Sequence, residues 1–173
     1  MKALAAIMLA MACTQPMGGS VAVPVLRDTS LPAGQPINYE PNWDAPFPYR
    51  GVIEHEARAA GVPEWILAAV IQYESGYDEF ARNRNNNGTM DLGIAQLNSR
   101  YLGYFAEQFN GGLTVDPFNP LVSIRIAARY LARNYQTFGN WEYAVAAYNC
   151  GPGRAVERPW PVKTERYIQE VFR

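Results

Sequence analysis

A single carboxylate, Glu74, follows an apolar helical pattern in the middle of the chain. Leu67, Val70 and Ile71 precede it by seven, four and three residues. On a helix these spacings place the four side chains on one face, and the apolar ones direct that face into the core. A carboxyl group at the edge of a core should have a raised pKa, because burial disfavours the charged form. Such a group can hold a proton near neutral pH and deliver it to a leaving group.

The position of Glu74 also allows a second interpretation. A Glu at the end of a helix commonly points into solvent, and it could pair with Arg82 or Arg84 in the loop that follows. Helical spacing alone does not decide between a buried acid and a solvated or ion-paired one.

Helical patterns on both sides predict the elements that position Glu74. Apolar residues recur at helical spacing in five stretches, 49–60, 62–75, 119–139, 140–149 and 164–172. Gly61 is a favourable C-terminal cap for the first stretch, and a short hairpin is indicated only at Asn87-Gly88. Residues 65–71 are apolar all round, which is typical of a helix buried on most sides. We therefore predict a mainly α, single globular domain with five or more helices around a central buried helix.

The composition is that of a globular protein and argues against one class of partner. The chain has 173 residues, of which 49% are hydrophobic and 13% aromatic, enough to bury a core in one domain of ordinary size. The formal net charge is −1, and Lys and Arg are scattered without the basic stripe that follows phosphates. We therefore expect no nucleic-acid partner.

The N-terminus has the character of a targeting segment. Residues 1–12 join Lys2 to an uncharged apolar run that is too short to span a bilayer as a helix, which predicts an export signal. Cys13 follows a small-x-small pattern and resembles the acylated Cys of a bacterial lipoprotein, although Ala10 stands where such signals usually have Leu. We expect an exported protein of the periplasm or cell envelope, with Cys13 as a lipidation candidate and no other membrane contact.

A Pro-rich segment separates this signal from the predicted domain. Residues 13–46 contain many Pro and no sustained period, which indicates a partly extended tether. The predicted folded domain then covers residues 47–173.

The motifs of this domain resemble those of a known family. "ESGYD" begins at Glu74 and is followed in order by "DLGIAQLN", the helical stretch 119–139, "AVAAYNCGPGRAV" and "ERYIQEV". Together they resemble the soluble lytic transglycosylase type of peptidoglycan-cleaving domain, over about residues 50–173. The resemblance implies a lysozyme-like fold and a peptidoglycan glycan strand as substrate. The loop "NRNNNGTMD" resembles in particular the small transglycosylases associated with secretion machinery and conjugation, which implies an envelope complex as a further partner.

Carried over residue by residue, the resemblance implies roles for five side chains. Glu74 would be the sole catalytic acid and base, and Ser75, beside it as in the family's Glu-Ser pair, would be a substrate-binding residue. Gln96 matches the Gln of the Gly-x-x-Gln motif and would bind sugar, which suits an amide that donates and accepts. Tyr148 and Asn149 match the family's Ala-Tyr-Asn motif and would bind substrate, with Tyr148 reaching the Glu74 carboxyl. Taken alone, Ser75, Gln96 and Tyr148 also fit a helix-end hydroxyl, a polar helix-start residue and a core aromatic.

Two positions depart from the family's usual residues. Ala95 stands where the family often has Met, and Cys150 stands where the Ala-Tyr-Asn motif usually continues with Ala. The first change loosens a sugar-facing wall, and neither removes a reacting group. We expect Cys150 to be a small buried apolar side chain.

The Asn-rich loop "NRNNNGTMD" has the spacing of a calcium site but lacks the ligands of one. Asn83, Asn85 and Asn87 place amides where an EF-hand loop has carboxylates, and Ile94 stands where that loop needs a bidentate Glu. His55 is the only His, and one His does not make a zinc site. We therefore predict no metal and no cofactor.

The resemblance implies a reaction with one carboxylate. Glu74 would protonate the glycosidic oxygen between N-acetylmuramic acid and N-acetylglucosamine, and then deprotonate the muramic 6-hydroxyl to close a 1,6-anhydro ring. Two alternatives share the fold. One is a lysozyme-type hydrolase in which Asp91 positions an attacking water, since most glycosidases use two carboxylates. The other is a non-catalytic peptidoglycan-binding or assembly factor of an envelope complex.

Overall fold

The helices in the computed structural model surround one apolar helix, and a small sheet lies beside them. The structure describes Ala45, Pro46 and residues 48–173. In chain order the elements are α1 (Tyr49–Ala60), α2 (Glu64–Ser75), β1 (Arg82–Arg84), β2 (Met90–Leu92), β3 (Leu97–Asn98), a 3₁₀ turn (Ser99–Tyr101), α3 (Leu102–Phe109), α4 (Pro120–Phe138), α5 (Trp141–Cys150), α6 (Pro152–Ala155) and α7 (Val162–Val171). The predicted mainly α fold is confirmed.

The predicted N-terminal features lie almost wholly outside the described residues. This holds for the export signal at 1–12, for Cys13 and for residues 13–44 of the tether. Ala45, at the end of the predicted tether, is buried and packs in the core. Among the described residues, none of the helices combines the length and the apolar character needed to cross a membrane.

The central helix is α2, as its all-round apolar sequence predicts. It packs against α1, α4 and α7, and its residues Leu67, Val70 and Ile71 have no solvent exposure. The helix ends at Gly76, which has a left-handed φ of 61° and donates its N–H to the Gln72 carbonyl at 2.9 Å. Glu74 is therefore held in the last turn of a helix whose apolar face is fixed by the core.

The longest helix, α4, has strong end signals in the sequence. The Asn119 side chain accepts hydrogen bonds from the N–H groups of Leu121 and Val122, and Pro120 takes the first helical position. Gly139 closes the helix in the left-handed conformation, with φ of 65°. A pair of partly buried hydrogen bonds joins this helix to α1: Arg125 donates from Nε and Nη2 to Glu56 Oε1 at 3.1 and 3.0 Å.

The sheet beside the site is a three-stranded antiparallel meander in the order β1-β2-β3. Its first turn contains Asn87-Gly88, so the hairpin indicated there by the sequence is confirmed. Asp91 lies in the middle strand, opposite Asn83 on one side and Asn98 on the other. The sheet therefore presents one carboxylate between two edge strands that carry amides.

Candidate active site

The Glu74 carboxyl sits among buried groups and is held by one phenol. The Tyr167 hydroxyl donates to Glu74 Oε1 at 2.8 Å. Burial raises the pKa of Glu74 from 4.5 to about 7; the Tyr167 hydrogen bond lowers it, the negative charge of Asp91 raises it, and the positive charge of Lys163 lowers it. Glu74 can thus be a proton donor near neutral pH, as its apolar helical face predicts.

The alternative environments for Glu74 are not found in the described part of the chain. Its hydrogen-bond partner there is a phenol, and the ion pairs of the described residues do not include it. Arg82, one of the two candidate partners, instead places its guanidinium 4.3 Å from the centre of the Phe118 ring. Arg84 is exposed on β1. Glu74 is thus partly buried and bound by a phenol, which favours the buried-acid interpretation over a solvated or ion-paired one.

The hydrogen bond between Tyr167 and Glu74 was not predicted from the sequence. The Tyr167 ring is fully buried on α7 and meets the Tyr73 ring edge-on, with centroids 4.6 Å apart. The family-like stretch "ERYIQEV" contains this residue, but Thr164, Ile168 and Val171 share its buried face. Tyr167 therefore has the helical spacing of an ordinary core aromatic, and only the folded chain brings its hydroxyl to a carboxyl 93 positions away.

Tyr148 does not make the predicted contact. Its hydroxyl donates to the Ala95 carbonyl at 2.9 Å, so the phenol that reaches Glu74 is Tyr167 and not Tyr148. Tyr148 still lies near the acid, because burial first and then the charge of Glu74 raise its pKa well above the usual range. Its contact with the substrate remains a prediction.

Ser75 and Gln96 both donate hydrogen bonds at the turn between β2 and β3, and Gln96 is part of that turn. Ser75 Oγ donates to the Ile94 carbonyl at 2.8 Å, which ties the end of α2 to that turn. Gln96 has a left-handed φ of 49°, and its Nε2 donates to the carbonyls of Gly93 and Ala81 at 2.9 and 3.3 Å. The Gln96 side-chain oxygen accepts no hydrogen bond from the described residues, so sugar binding by Gln96 would use that oxygen.

Asn149 joins two helices next to the site. Its Oδ1 accepts a hydrogen bond from Thr164 Oγ1 at 2.9 Å, which links α5 to α7. Cys150, the next residue, was expected to be a small buried side chain; it is partly buried and packs against the core. The structure places Asn149 where it supports the helix that carries Tyr167, and its contact with substrate remains a prediction.

Asn85 of the Asn-rich loop and Asn98 of β3 hold the Asp91 carboxylate. Asn98 Nδ2 donates to Asp91 Oδ1 at 2.7 Å and Asn85 Nδ2 donates to Oδ2 at 2.9 Å. Both amides also donate to Thr89 Oγ1, at 3.1 Å from Asn85 and 3.0 Å from Asn98. The two Asp91 oxygens are therefore fixed by donors from both sides, and the charge of this carboxylate acts on Glu74.

The hydrogen bond from Tyr167 gives a testable pH dependence. Glu74 must be protonated to act as an acid, so activity should fall as the pH rises through about 7. Because the Tyr167 hydroxyl lowers the pKa of Glu74, Tyr167→Phe should move this alkaline limb to higher pH. We expect kcat below pH 7 to fall about tenfold, since the donor that orients the carboxyl is lost. pH profiles of kcat and of kcat/KM on peptidoglycan measure the two effects.

Tyr73→Phe is the matched control for this prediction. It removes a hydroxyl from the ring that packs against Tyr167 and leaves the bond to Glu74 in place. An unmoved alkaline limb in Tyr167→Phe, or an equal shift in both variants, would show that the hydrogen bond does not set the pKa of Glu74.

The segment that carries this site is similar to known proteins. The family model described as "Transglycosylase SLT domain" matches residues 51–165. This chain belongs to the transglycosylase SLT domain family. Family membership assigns the domain to the lytic transglycosylases, enzymes that act on peptidoglycan, and residues 51–165 include both Glu74 and Asp91.

Two relatives and one solved structure show the range of similarity. Protein IpgF of Shigella sonnei is 32% identical over 120 residues, covering 65% of this chain and 70% of IpgF. Lysozyme C of Ortalis vetula is 48% identical over 44 residues, which is 25% of this chain and 33% of that lysozyme. An inactive mutant of lytic transglycosylase Slt from Pseudomonas aeruginosa superposes with a TM-score of 0.60 at 25% identity. The match covers 73% of this SLT-family chain and 23% of Slt, so the chain spans about a quarter of that protein.

Proposed function

We propose that this protein cleaves the β-1,4 bond between N-acetylmuramic acid and N-acetylglucosamine and leaves 1,6-anhydro-muramic ends. The observation that carries the proposal is the Glu74 carboxyl, with a pKa of about 7 and a fixed phenolic partner. Because Tyr167 donates to Oε1, the transferable proton of Glu74 is directed to Oε2. The carboxyl can then give that proton to the glycosidic oxygen as the bond to the muramic anomeric carbon breaks.

The second half of the proposed reaction uses the same group in reverse. The acetamido group of the muramic residue stabilises the positive charge that develops at the anomeric carbon. Glu74, now a carboxylate, takes the proton of the muramic 6-hydroxyl while that oxygen bonds to the anomeric carbon. One glycosidic bond is broken and one anhydro bond is formed, and Glu74 ends protonated. No water is consumed, so the products are one water lighter than those of hydrolysis.

Product analysis tests this proposal. Purified peptidoglycan is incubated with the protein, and the released fragments are identified by mass spectrometry. Fragments with anhydro-muramic ends support the proposed reaction. Reducing muramic ends would assign a hydrolase, and the absence of any fragment would favour a binding or assembly role.

A specific observation favours lysozyme-type hydrolysis as the second candidate. Asp91 is a carboxylate fixed by two amide donors, and its charge acts on Glu74. A second, rigidly held carboxylate near the acid is what a two-carboxylate glycosidase requires, either to position a water or to act as nucleophile. The local identity to lysozyme C, over a quarter of the chain, supports the same candidate.

Asp91→Asn separates the two candidates. If Asp91 takes part in hydrolysis, this isosteric change should lower kcat at least about 100-fold and remove reducing ends. If the substrate's acetamido group does that work, anhydro products should persist with a loss of about tenfold or less. The pKa of Glu74 should fall in this variant because a nearby negative charge is gone. Rates are therefore compared at matched fractions of protonated Glu74, read from each pH profile.

We also propose the cellular setting that the N-terminal sequence predicts. The export signal at residues 1–12 would bring the domain to periplasmic peptidoglycan, and acylation of Cys13 would tether it to a membrane. Mass spectrometry of the mature N-terminus tests both, since a lipidated protein begins with a modified Cys13. A secretion or conjugation complex is the proposed protein partner, and co-purification of envelope-complex subunits with the exported protein would support it.

A further inference from the structure

Lys163 is an exposed cation at the edge of the candidate site, and the proposed reaction does not use it. It lies in the first turn of α7, four residues before Tyr167, whose hydroxyl binds Glu74. Residues four apart share one face of a helix, so Lys163 projects from the Tyr167 side of α7. The positive charge of Lys163 lowers the pKa of Glu74, which agrees with this placement.

The backbone of this turn is fixed relative to the site. Thr164 Oγ1 donates to Asn149 Oδ1 at 2.9 Å, and the Trp160 N–H donates to Glu165 Oε1 at 3.2 Å. These bonds anchor the start of α7 on α5 and on the segment before it. The backbone at Lys163 is therefore held in place, and its exposed side chain extends from it.

No carboxylate of the described residues forms an ion pair with Lys163. The acidic residues of its own helix have other partners, because Glu165 accepts from Trp160 and Glu170 pairs with Arg173 at 3.4 Å. Within the described part of the chain, the ammonium group thus keeps its three donors available for an anion that approaches the site.

We propose that Lys163 binds a carboxylate of the muramyl unit next to the scissile bond. Muramic acid carries a lactyl carboxyl group, which is either free or linked to a stem peptide that has carboxylates of its own. N-acetylglucosamine has none. Contact with Lys163 would therefore favour the binding register that puts a muramyl unit beside α7, and would favour peptidoglycan over carboxylate-free glycans. This inference rests on the proposed peptidoglycan substrate.

Binding measurements with three glycans test the inference. They are strands that carry stem peptides, the same strands stripped by an amidase so that the lactyl carboxylate is free, and N-acetylglucosamine oligomers. All proteins carry Glu74→Gln so that no strand is consumed. Adding Lys163→Gln should weaken binding of muramyl strands about fivefold and leave binding of N-acetylglucosamine oligomers unchanged. Lys163→Arg should restore binding. Arg166→Gln, the same loss of charge at an exposed position of α7, should have no effect.

Each outcome is decisive for Lys163. A loss seen only with peptide-bearing strands assigns the stem-peptide carboxylate, and a loss with stripped strands assigns the lactyl carboxylate. Equal affinities with and without Lys163→Gln, or an equal loss on N-acetylglucosamine oligomers, would overturn the inference. Binding does not depend on cleavage, so a wild-type protein that releases no fragments would refute the proposed reaction without deciding the role of Lys163.

Discussion

Glu74→Gln is expected to lower the rate of peptidoglycan cleavage about 1,000-fold or more, because one group supplies both proton transfers of the proposed reaction. Glutamine has nearly the same shape and can still accept the Tyr167 hydrogen bond, so binding of glycan strands should remain. Single-turnover rates measure the loss, and binding to intact strands measures the retained affinity.

Glu64→Gln is the matched control, because Glu64 begins the same helix and pairs with Arg58 on the exposed surface. It should leave cleavage unchanged. Full activity in Glu74→Gln, with the same product masses as the wild type, would remove Glu74 from the mechanism.

Stability provides an independent check on the environment of Glu74. The pKa of Glu74 rises from 4.5 to about 7 on folding, so the folded protein binds more protons than the unfolded chain between these pH values. The wild type therefore loses stability as the pH rises through this window. Glutamine does not titrate. The Tm of Glu74→Gln should therefore rise relative to that of the wild type as the pH increases from about 5 to about 8. A constant difference would mean that the carboxyl is not buried as an acid.

Gly93→Ala is expected to destabilise the fold by about 3 kcal/mol or more, from backbone strain and overpacking together. Gly93 has a left-handed φ of 73°, and a Cβ placed there would lie 1.8 Å from the Pro117 carbonyl oxygen. The Gly93 carbonyl also accepts a hydrogen bond from the Gln96 side-chain amide, and the Gly93 N–H donates to the Ala81 carbonyl. Denaturant unfolding measures the loss, and activity should fall with it because the turn beside Glu74 is displaced.

Gly88→Ala separates the two causes of this effect. Gly88 has a similar left-handed φ of 83°, but a Cβ there would meet no atom within 4 Å. Its replacement should cost only about 1 kcal/mol of backbone strain. Equal losses of stability in the two variants would show that the close approach to Pro117 is not what requires Gly93.

Much of the fold was predictable because its signals are local. The apolar face of α2, the Asn119-Pro120 start and Gly139 end of α4, and the Asn87-Gly88 turn all depend on residues close together in sequence. The helical segment from Ser99 to Phe109 was not predicted. It is short, and α3 follows a 3₁₀ turn capped by Asn98, so its regular helical part covers barely two turns.

The candidate site was predictable only in part, because its contacts join distant segments. The burial of Glu74 follows from its own helix, and its raised pKa follows from that burial. Which phenol reaches it depends on how α5 and α7 pack, and the structure gives that contact to Tyr167 while Tyr148 binds the Ala95 carbonyl. The role of Asn85 and Asn98 in holding Asp91 likewise depends on the pairing of three strands.

The position of Glu74 in the last turn of α2 has a consequence for the catalytic cycle. The carbonyl dipoles at the end of a helix disfavour a negative charge there. Together with burial they oppose the stabilising hydrogen bond of Tyr167 to the anion formed after the first proton transfer. In the proposed reaction this anion takes its proton from the muramic 6-hydroxyl. That hydroxyl belongs to the substrate, so Glu74 is already protonated again when the cleaved strand leaves. In each proposed turnover the glycan itself replaces the proton that Glu74 gave to the glycosidic oxygen. The proposed cycle therefore requires no proton exchange between Glu74 and bulk water.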